Sequence, residues 1–215
     1  MSKVREYQGD GIVVQYDVKR CIHAAECVRG LPAVFDVEKR PWIQPQHAAP
    51  ENLIEVIERC PTGALQYRRV DEIVEEATAT NVILPMADGP LYVTGEITIN
   101  LPDGTTAHET RLALCRCGAS ENKPFCDNAH KKIEFQASAG VLAGNDMNTA
   151  VSSPNPLTIT PLQNGPCLLT GNFEIHDSQG NKVFSGEKAA LCRCGGSQNK
   201  PFCDGQHNKI GFSSA

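Results

Sequence analysis

Cys115, Cys117, Cys126 and His130 are spaced C-x-C-x8-C-x3-H, and the same spacing returns at Cys192, Cys194, Cys203 and His207. Three thiolates and one imidazole make a complete donor set for a soft or borderline metal. Zinc accepts such a set. A [2Fe–2S] cluster also takes histidine in place of cysteine, as Rieske centres do. Cys115–Phe135 and Cys192–Phe212 align without a gap at an offset of 77, with 15 of 21 positions identical and every Cys and His kept. Structural cysteines beside a surface histidine would not be expected to persist as two complete sets, so each copy reads as a metal site.

Three more thiols stand upstream. Cys21 and Cys27 lie close together, and Cys60 is followed by Pro61. Bacterial ferredoxins use C-x2-C-x2-C with a C-P ligand further on. Here Ala24 occupies the middle position. Three thiolates suit a [3Fe–4S] cluster. A [4Fe–4S] cluster fits if His23, water or another group holds the fourth iron. The tenth cysteine, Cys167, falls in an expected strand where the first copy has Leu91, which predicts a buried apolar role.

The elements that must position these residues are short and mixed. Strands are expected at Gly11–Tyr16, Val34–Val37, Trp42–Gln44 and Leu65–Arg68. Helices are expected at Ala24–Leu31 and Val70–Ala77, and at Pro50–Cys60, where Leu53, Ile54 and Ile57 form an apolar stripe behind a first-turn proline. In the repeats, alternating strands at Leu91–Asn100 and Cys167–His176 run into turns at Pro102-Asp103-Gly104 and Ser178-Gln179-Gly180. Second strands at Thr110–Leu114 and Lys188–Leu191 follow and lead into the Cys clusters. Asp127 and Asp204 sit where an N-cap would start a helical turn carrying His130 or His207. The repeat unit begins near Asn81 and again near Leu157, with one residue inserted in the second copy. The Ala-, Ser-, Asn-, Gly- and Pro-rich segment from Ala137 to Pro156 reads as a linker. Three domains are therefore expected: 1–80, 81–140 and 157–215.

The sequence KPFCDNAH, like KPFCDGQH in the second copy, follows a CRCG and a serine (Ser120 or Ser197). It resembles the CDGSH iron–sulfur motif of the mitoNEET-like family, C-x-C-x2-(S/T)-x3-P-x-C-D-G-(S/A/T)-H. The resemblance implies one [2Fe–2S] cluster per copy. Cys115 and Cys117 would hold one iron, and Cys126 with His130 the other; Cys192, Cys194, Cys203 and His207 would do the same in the second copy. It also implies that the copies pack as an intrachain pseudo-dimer with a β-sandwich cap. Asn128 replaces the motif glycine, and asparagine is the non-glycine residue best suited to a left-handed turn. Ala129 and Gln206 take the serine position. The stretch CIHAAEC…VFD…PWIQP…CPTGALQY, roughly residues 10 to 68, resembles the divergent mono-cluster ferredoxin domain family. Together these imply an α+β protein in which a ferredoxin-like domain precedes two small β-rich CDGSH domains.

Composition narrows the function. Across 215 residues, 20 Lys and Arg face 25 Asp and Glu, a net charge of −5, which excludes a strongly basic nucleic-acid footprint. No apolar run is long enough for a membrane span. The polar stretch Met1–Asp10 is no secretory leader, so a reducing cytoplasm is expected, where clustered thiols bind metal. There is no dinucleotide fingerprint, P-loop or nucleophile elbow, so no catalytic site is expected. The expectation is a monomer with an internal pseudo-two-fold, passing single electrons between redox partner proteins. The alternative is a store that delivers clusters to apo-protein acceptors.

Overall fold

The computed structural model describes residues 4–71, 73–140 and 156–214. The chain is mostly β with few helices and divides into two compact units, Met1–Glu76 and Ala77–Ala215.

In the first unit, strands β1 (Val4–Gln8), β2 (Ile12–Asp17) and β3 (Leu65–Arg69) form an antiparallel sheet in the order β1-β2-β3. The centre strand alternates: Ile12, Val14 and Tyr16 are buried, while the residues between them are half-buried. Period-two alternation is what a strand with one face on a core requires. Helix α1 is short, Glu26–Gly30, and α2 spans Pro50–Glu58. Pro50 opens α2, where its missing N–H costs no hydrogen bond, and Leu53, Val56 and Ile57 face the sheet. They pack with Val34, Phe35, Ile43 and Leu65 in one core. Each such side chain contributes roughly 1.5–3 kcal/mol on burial.

Three expectations for this unit need correction. The strands at Val34–Val37 and Trp42–Gln44 reduce to a single bridge between Phe35 and Ile43. Strand β1 was not foreseen. It is an edge strand with four of five residues exposed, so no alternation marks it. The helix expected at Val70–Ala77 is absent over the described residues of that stretch, and Glu72 lies outside them. Val70, Ile73 and Val74 are exposed, so this segment buries no face, and a short helix without tertiary packing is marginal.

The second unit holds both repeats. Strands β4 (Val82–Pro85), β5 (Leu91–Asn100) and β6 (Thr106–Leu114) come from the first copy, and β7 (Leu157–Pro161), β8 (Cys167–His176) and β9 (Lys182–Leu191) from the second. Within each copy the neighbours are antiparallel: β4 with β5 and β5 with β6, then β7 with β8 and β8 with β9. Between copies the short strands cross over and pair in parallel. Val82 and Ile83 lie opposite Glu174 and Ile175, while Thr158 and Ile159 lie opposite Thr98 and Ile99. Each of these pairings maps onto the other at the 76-residue offset. The six strands form one sheet system around one core, with Ile83, Val93, Ile99 and Leu112 of the first copy against Leu157, Leu169, Phe173 and Ile175 of the second. Cys167 belongs to this core at 2% exposure, in keeping with its apolar reading.

Strands β5 and β8 each bend at a glycine. Gly95 and Gly171 have φ of 139° and 109°, and a β-carbon there would collide with Asn81 or with the Pro156 carbonyl. Asn81 fills the bend in β5, accepting from Glu96 N–H (2.9 Å) and donating to Asn172 O (2.8 Å) on β8. The extra residue of the second copy is absorbed as a register shift at Ile175/His176, where β8 meets the start of β9. Most of the expected linker, 141–155, lies outside the described residues.

Candidate metal centres

In each repeat the second long strand runs directly into the Cys cluster. The loop after Cys117 returns so that Phe125 bridges Leu114, and the equivalent Phe202 bridges Leu191. Cys115 N–H donates to Pro124 O (2.8 Å), and Cys126 N–H to Ala113 O (2.9 Å). These two bonds bring Cys126 back beside Cys115. The second copy repeats them at Cys192–Pro201 (2.8 Å) and Cys203–Ala190 (2.7 Å). Ser120 holds the loop from inside: its hydroxyl donates to Phe125 O (2.6 Å) and accepts from Asn122 N–H (3.0 Å), as Ser197 does at Phe202 and Asn199.

A single helical turn then presents each histidine: α3 (Ala129–Lys132) carries His130 and α4 (Gln206–Lys209) carries His207. The turns start from Asn128 (φ 72°) and Gly205 (φ 83°), so the left-handed backbone expected at Asn128 is present. The caps are thus one residue later than expected. Asp127 and Asp204 instead tie two segments together, accepting from Ala129 or Gln206 N–H through one oxygen and from Glu121 or Gln198 N–H through the other.

The donors come in twos. Cys115 and Cys117 Sγ are 3.8 Å apart, as are Cys192 and Cys194 Sγ. Cys126 Sγ lies 3.4 Å from His130 Nδ1, and Cys203 Sγ 3.3 Å from His207 Nδ1. Two sulfurs bonded to one tetrahedral metal at about 2.3 Å stand about 3.8 Å apart, so each pair is spaced to share one metal. Among the described residues, no three His, Cys, Asp or Glu side chains converge on a single ion. A centre with two metals, each held by one pair, fits this donor arrangement.

The thiols are unevenly set. The neighbouring Cys117 thiol, helped by loop N–H groups and opposed by burial, pulls the Cys115 thiol below the usual thiol range. Cys117 is correspondingly raised, first by Cys115 and then by burial. Burial pushes Cys126 up to about 11. Metal entry must therefore expel protons, because the bound ligand is the thiolate.

Two arginines underlie this architecture, and their functional weight was not drawn from the sequence although the CRC triplet appears twice. Arg116 and Arg193 are among the most buried side chains in the chain. Arg116 donates to the carbonyls of Gly89 (3.1 Å), Ser138 (3.1 Å) and Met86, and Arg193 to those of Gly165 (3.0 Å) and Leu162. Phe135 and Phe212 stack over their guanidinium groups at 5.6 and 5.5 Å. Each arginine thereby locks the turn before the first long strand to the Cys loop. The two Cys loops also abut directly. A β-carbon on Gly118 would lie 2.7 Å from Cys194 O, and one on Gly195 2.5 Å from Cys117 O. Only glycine allows this approach, and φ near 80° at both positions favours it independently.

In the first unit, Cys21, Cys27 and Cys60 line one cavity of about 510 Å³, with Tyr16, His23 and Trp42 also on its wall. Cys21 follows β2, Cys27 sits in α1 and Cys60 follows α2. Left-handed residues at His23 (φ 56°) and Ala25 (φ 67°) curl the intervening loop. Burial pushes the Cys27 thiol up to about 11, with the nearby Cys60 and Cys21 adding to it. Cys60 Sγ also lies 3.5 Å from Thr62 Oγ1. Ala24 lines the cavity without offering a donor, whereas His23 reaches the same wall with an exposed ring. Three thiols spread around a cavity suit a polynuclear centre better than one ion.

Comparison with known proteins agrees with this division. Residues 88–131 and 164–208 each match the family model described as an iron-binding zinc finger of CDGSH type. Residues 7–70 match the model of a divergent 4Fe-4S mono-cluster domain. The N-terminal part also resembles "Uncharacterized protein YjdI" of Escherichia coli strain K12, 39% identical over 64 residues, which is 30% of this chain and 84% of that protein. The YjdI protein of Escherichia coli O157:H7 matches at the same identity and coverage. No helix among the described residues is long and apolar enough to cross a membrane. The chain belongs to these iron–sulfur families: a divergent 4Fe-4S mono-cluster domain precedes two CDGSH-type iron-binding domains.

Proposed function

We propose that the protein is a single-electron carrier holding two [2Fe–2S] clusters in its repeats and one [3Fe–4S] or [4Fe–4S] cluster in its first unit. The pairing of donors carries this reading: two sulfurs 3.8 Å apart and a sulfur–imidazole pair at 3.3–3.4 Å recur in both copies. Bound iron–sulfur clusters supply reversible one-electron chemistry without help from an acid or base.

The chain's residues would set the conditions for it. Cys115 with Cys117, and Cys126 with His130, hold one metal each; Cys192 with Cys194, and Cys203 with His207, do so in the second copy. Backbone N–H groups at Asn128 and Gly205 donate to the Cys126 and Cys203 sulfurs (3.4 Å each), which stabilises negative charge on the ligand. Cys21, Cys27 and Cys60 hold the N-terminal centre. The copies act as an intrachain pseudo-dimer whose shared core is the β-sandwich cap, so the monomer needs no second chain. With no catalytic site of its own, the protein meets redox partners transiently, in the cytoplasm.

Iron and sulfide analysis with visible and EPR spectra tests the reading. A coloured protein with three centres that reduce and reoxidise without loss supports it. A colourless, zinc-rich protein overturns it. The second reading, delivery of clusters to an apo-protein, is favoured by the partial exposure of Cys194, Cys203 and His207. Cluster appearing on an added apo-ferredoxin would distinguish it from electron transfer.

A further inference from the structure

The two repeat sites share their backbone and donor spacing but not their cover. Cys115 and Cys192 are equally buried, at 2% exposure each. The other donors diverge: Cys117, Cys126 and His130 are buried at 9%, 3% and 6%, whereas Cys194, Cys203 and His207 are all partly exposed.

The copies also differ in side-chain size near these donors. Three of the six differences replace a side chain by hydrogen: Ala119 becomes Gly196, Asn128 becomes Gly205 and Glu134 becomes Gly211. A β-carbon on Gly196 would stand 3.7 Å from Cys194 Sγ, between Ile210 and Gln206, and Ala119 carries that methyl in the first copy. A β-carbon on Gly205 or Gly211 would meet nothing within 4 Å, so both positions have room for the first copy's side chains. The backbone at two of these positions is alike. Asn128 and Gly205 share the left-handed conformation, as do Glu134 (φ 51°) and Gly211 (φ 63°).

We infer that the second CDGSH site is the port through which the protein exchanges its cluster with a thiol-bearing acceptor, while the first site is the retained one. This rests on the delivery reading above. In the exchange, each bond from a ligand of this chain to iron is replaced by one from an incoming cysteine thiolate. Four incoming thiols release four protons: three return to Cys192, Cys194 and Cys203, and the fourth goes to His207 or to water. Iron and sulfide keep their oxidation states throughout. The covering side chains decide which site is reached first, since the shell around a metal site governs access to it.

The test uses the holoprotein and an apo-ferredoxin, followed by visible absorbance and native mass spectrometry. Two phases are expected, the faster emptying one repeat site. Gly196→Ala, Gly205→Asn and Gly211→Glu together restore the first copy's side chains and should slow the fast phase about tenfold, the lower end of what changes around metal ligands produce. The reciprocal Ala119→Gly, Asn128→Gly and Glu134→Gly variant should speed the slow phase comparably, and it decides the matter if the rebuilt site loads poorly. A single phase in the parent protein, or phases indifferent to both variants, overturns the inference. Clusters that reduce reversibly but never reach the acceptor also overturn it, yet leave the iron–sulfur reading standing. A protein without iron–sulfur absorbance would instead sink that reading itself.

Discussion

The repeats and the N-terminal unit build their candidate sites in opposite ways. In a repeat, all four donors come from one loop, Cys115 to His130 or Cys192 to His207, pinned by its own backbone hydrogen bonds and by a serine inside it. In the N-terminal unit, three thiols are carried by three separate places: after β2, within α1 and after α2. Only the core of Ile12, Val14, Leu53, Ile57 and Leu65 brings those places together around the cavity. A locally closed site tolerates loosening elsewhere. A site assembled by packing inherits every weakness of the core that assembles it.

The largest effects should come from the donors themselves. Cys126→Ala should abolish one repeat centre and leave the other, and Cys60→Ala should abolish only the N-terminal centre. Iron and sulfide per chain, with EPR, would show each loss; loss of all centres from either substitution would break the comparison.

Next is the core. Ile57 is fully buried on α2, so Ile57→Ala should cost about 2–5 kcal/mol through lost transfer energy and a cavity. Denaturant titration should show the N-terminal centre lost at lower urea, with the repeat spectrum unmoved.

Arg116→Ala is expected to be milder, roughly 1–3 kcal/mol, because, of the three carbonyls the guanidinium satisfies, only that of Gly89 belongs to a buried residue, while Met86 and Ser138 are within reach of water. Arg116→Lys should rescue only part of this, since an ammonium lacks the planar fork. Thermal melting followed at the cluster absorbance would report it, and full rescue by lysine would argue against the fork.

The smallest effect concerns pH. Asp103 is held below the usual carboxylate range by the Thr105 hydroxyl and then its N–H, and Asp177 by the Asn181 side chain and the N–H groups of Asn181 and Gln179. A carboxylate with a lowered folded pKa stabilises the fold above about pH 4, the unfolded value, and loses that contribution as pH falls through the folded value. Asp103→Asn and Asp177→Asn should therefore each flatten the acid limb of urea stability slightly. A steeper limb in either variant would contradict the assignment.

The difference in site construction also explains what could be read in advance. The repeat donors were legible because chemistry and spacing coincide within one short segment. Helix α2 was legible through Pro50 and its apolar stripe, and β2 through its alternation. The crossed pairing of β4 with β8 and β7 with β5 was not. Val82-Ile83 and Leu157–Ile159 would satisfy a partner in their own copy as readily as one in the other, and a repeat offset does not name the partner. Strand β1 and the helix expected at Val70–Ala77, absent over the described residues, failed for a shared reason: exposed segments carry little periodic signal, so local preference says little about their conformation.

The sequence alone determined the candidate donor sets, their duplication, and the three thiols proposed for an N-terminal centre, since these follow from residue type and short spacing. Tertiary structure decided the rest: that the repeats share one core, that Gly118 and Gly195 let their Cys loops meet backbone to backbone, and that buried arginines hold those loops. It also decided that two nearly identical motifs differ in cover. Burial and close approach depend on where distant parts of the chain arrive, and short-range spacing carries no record of that.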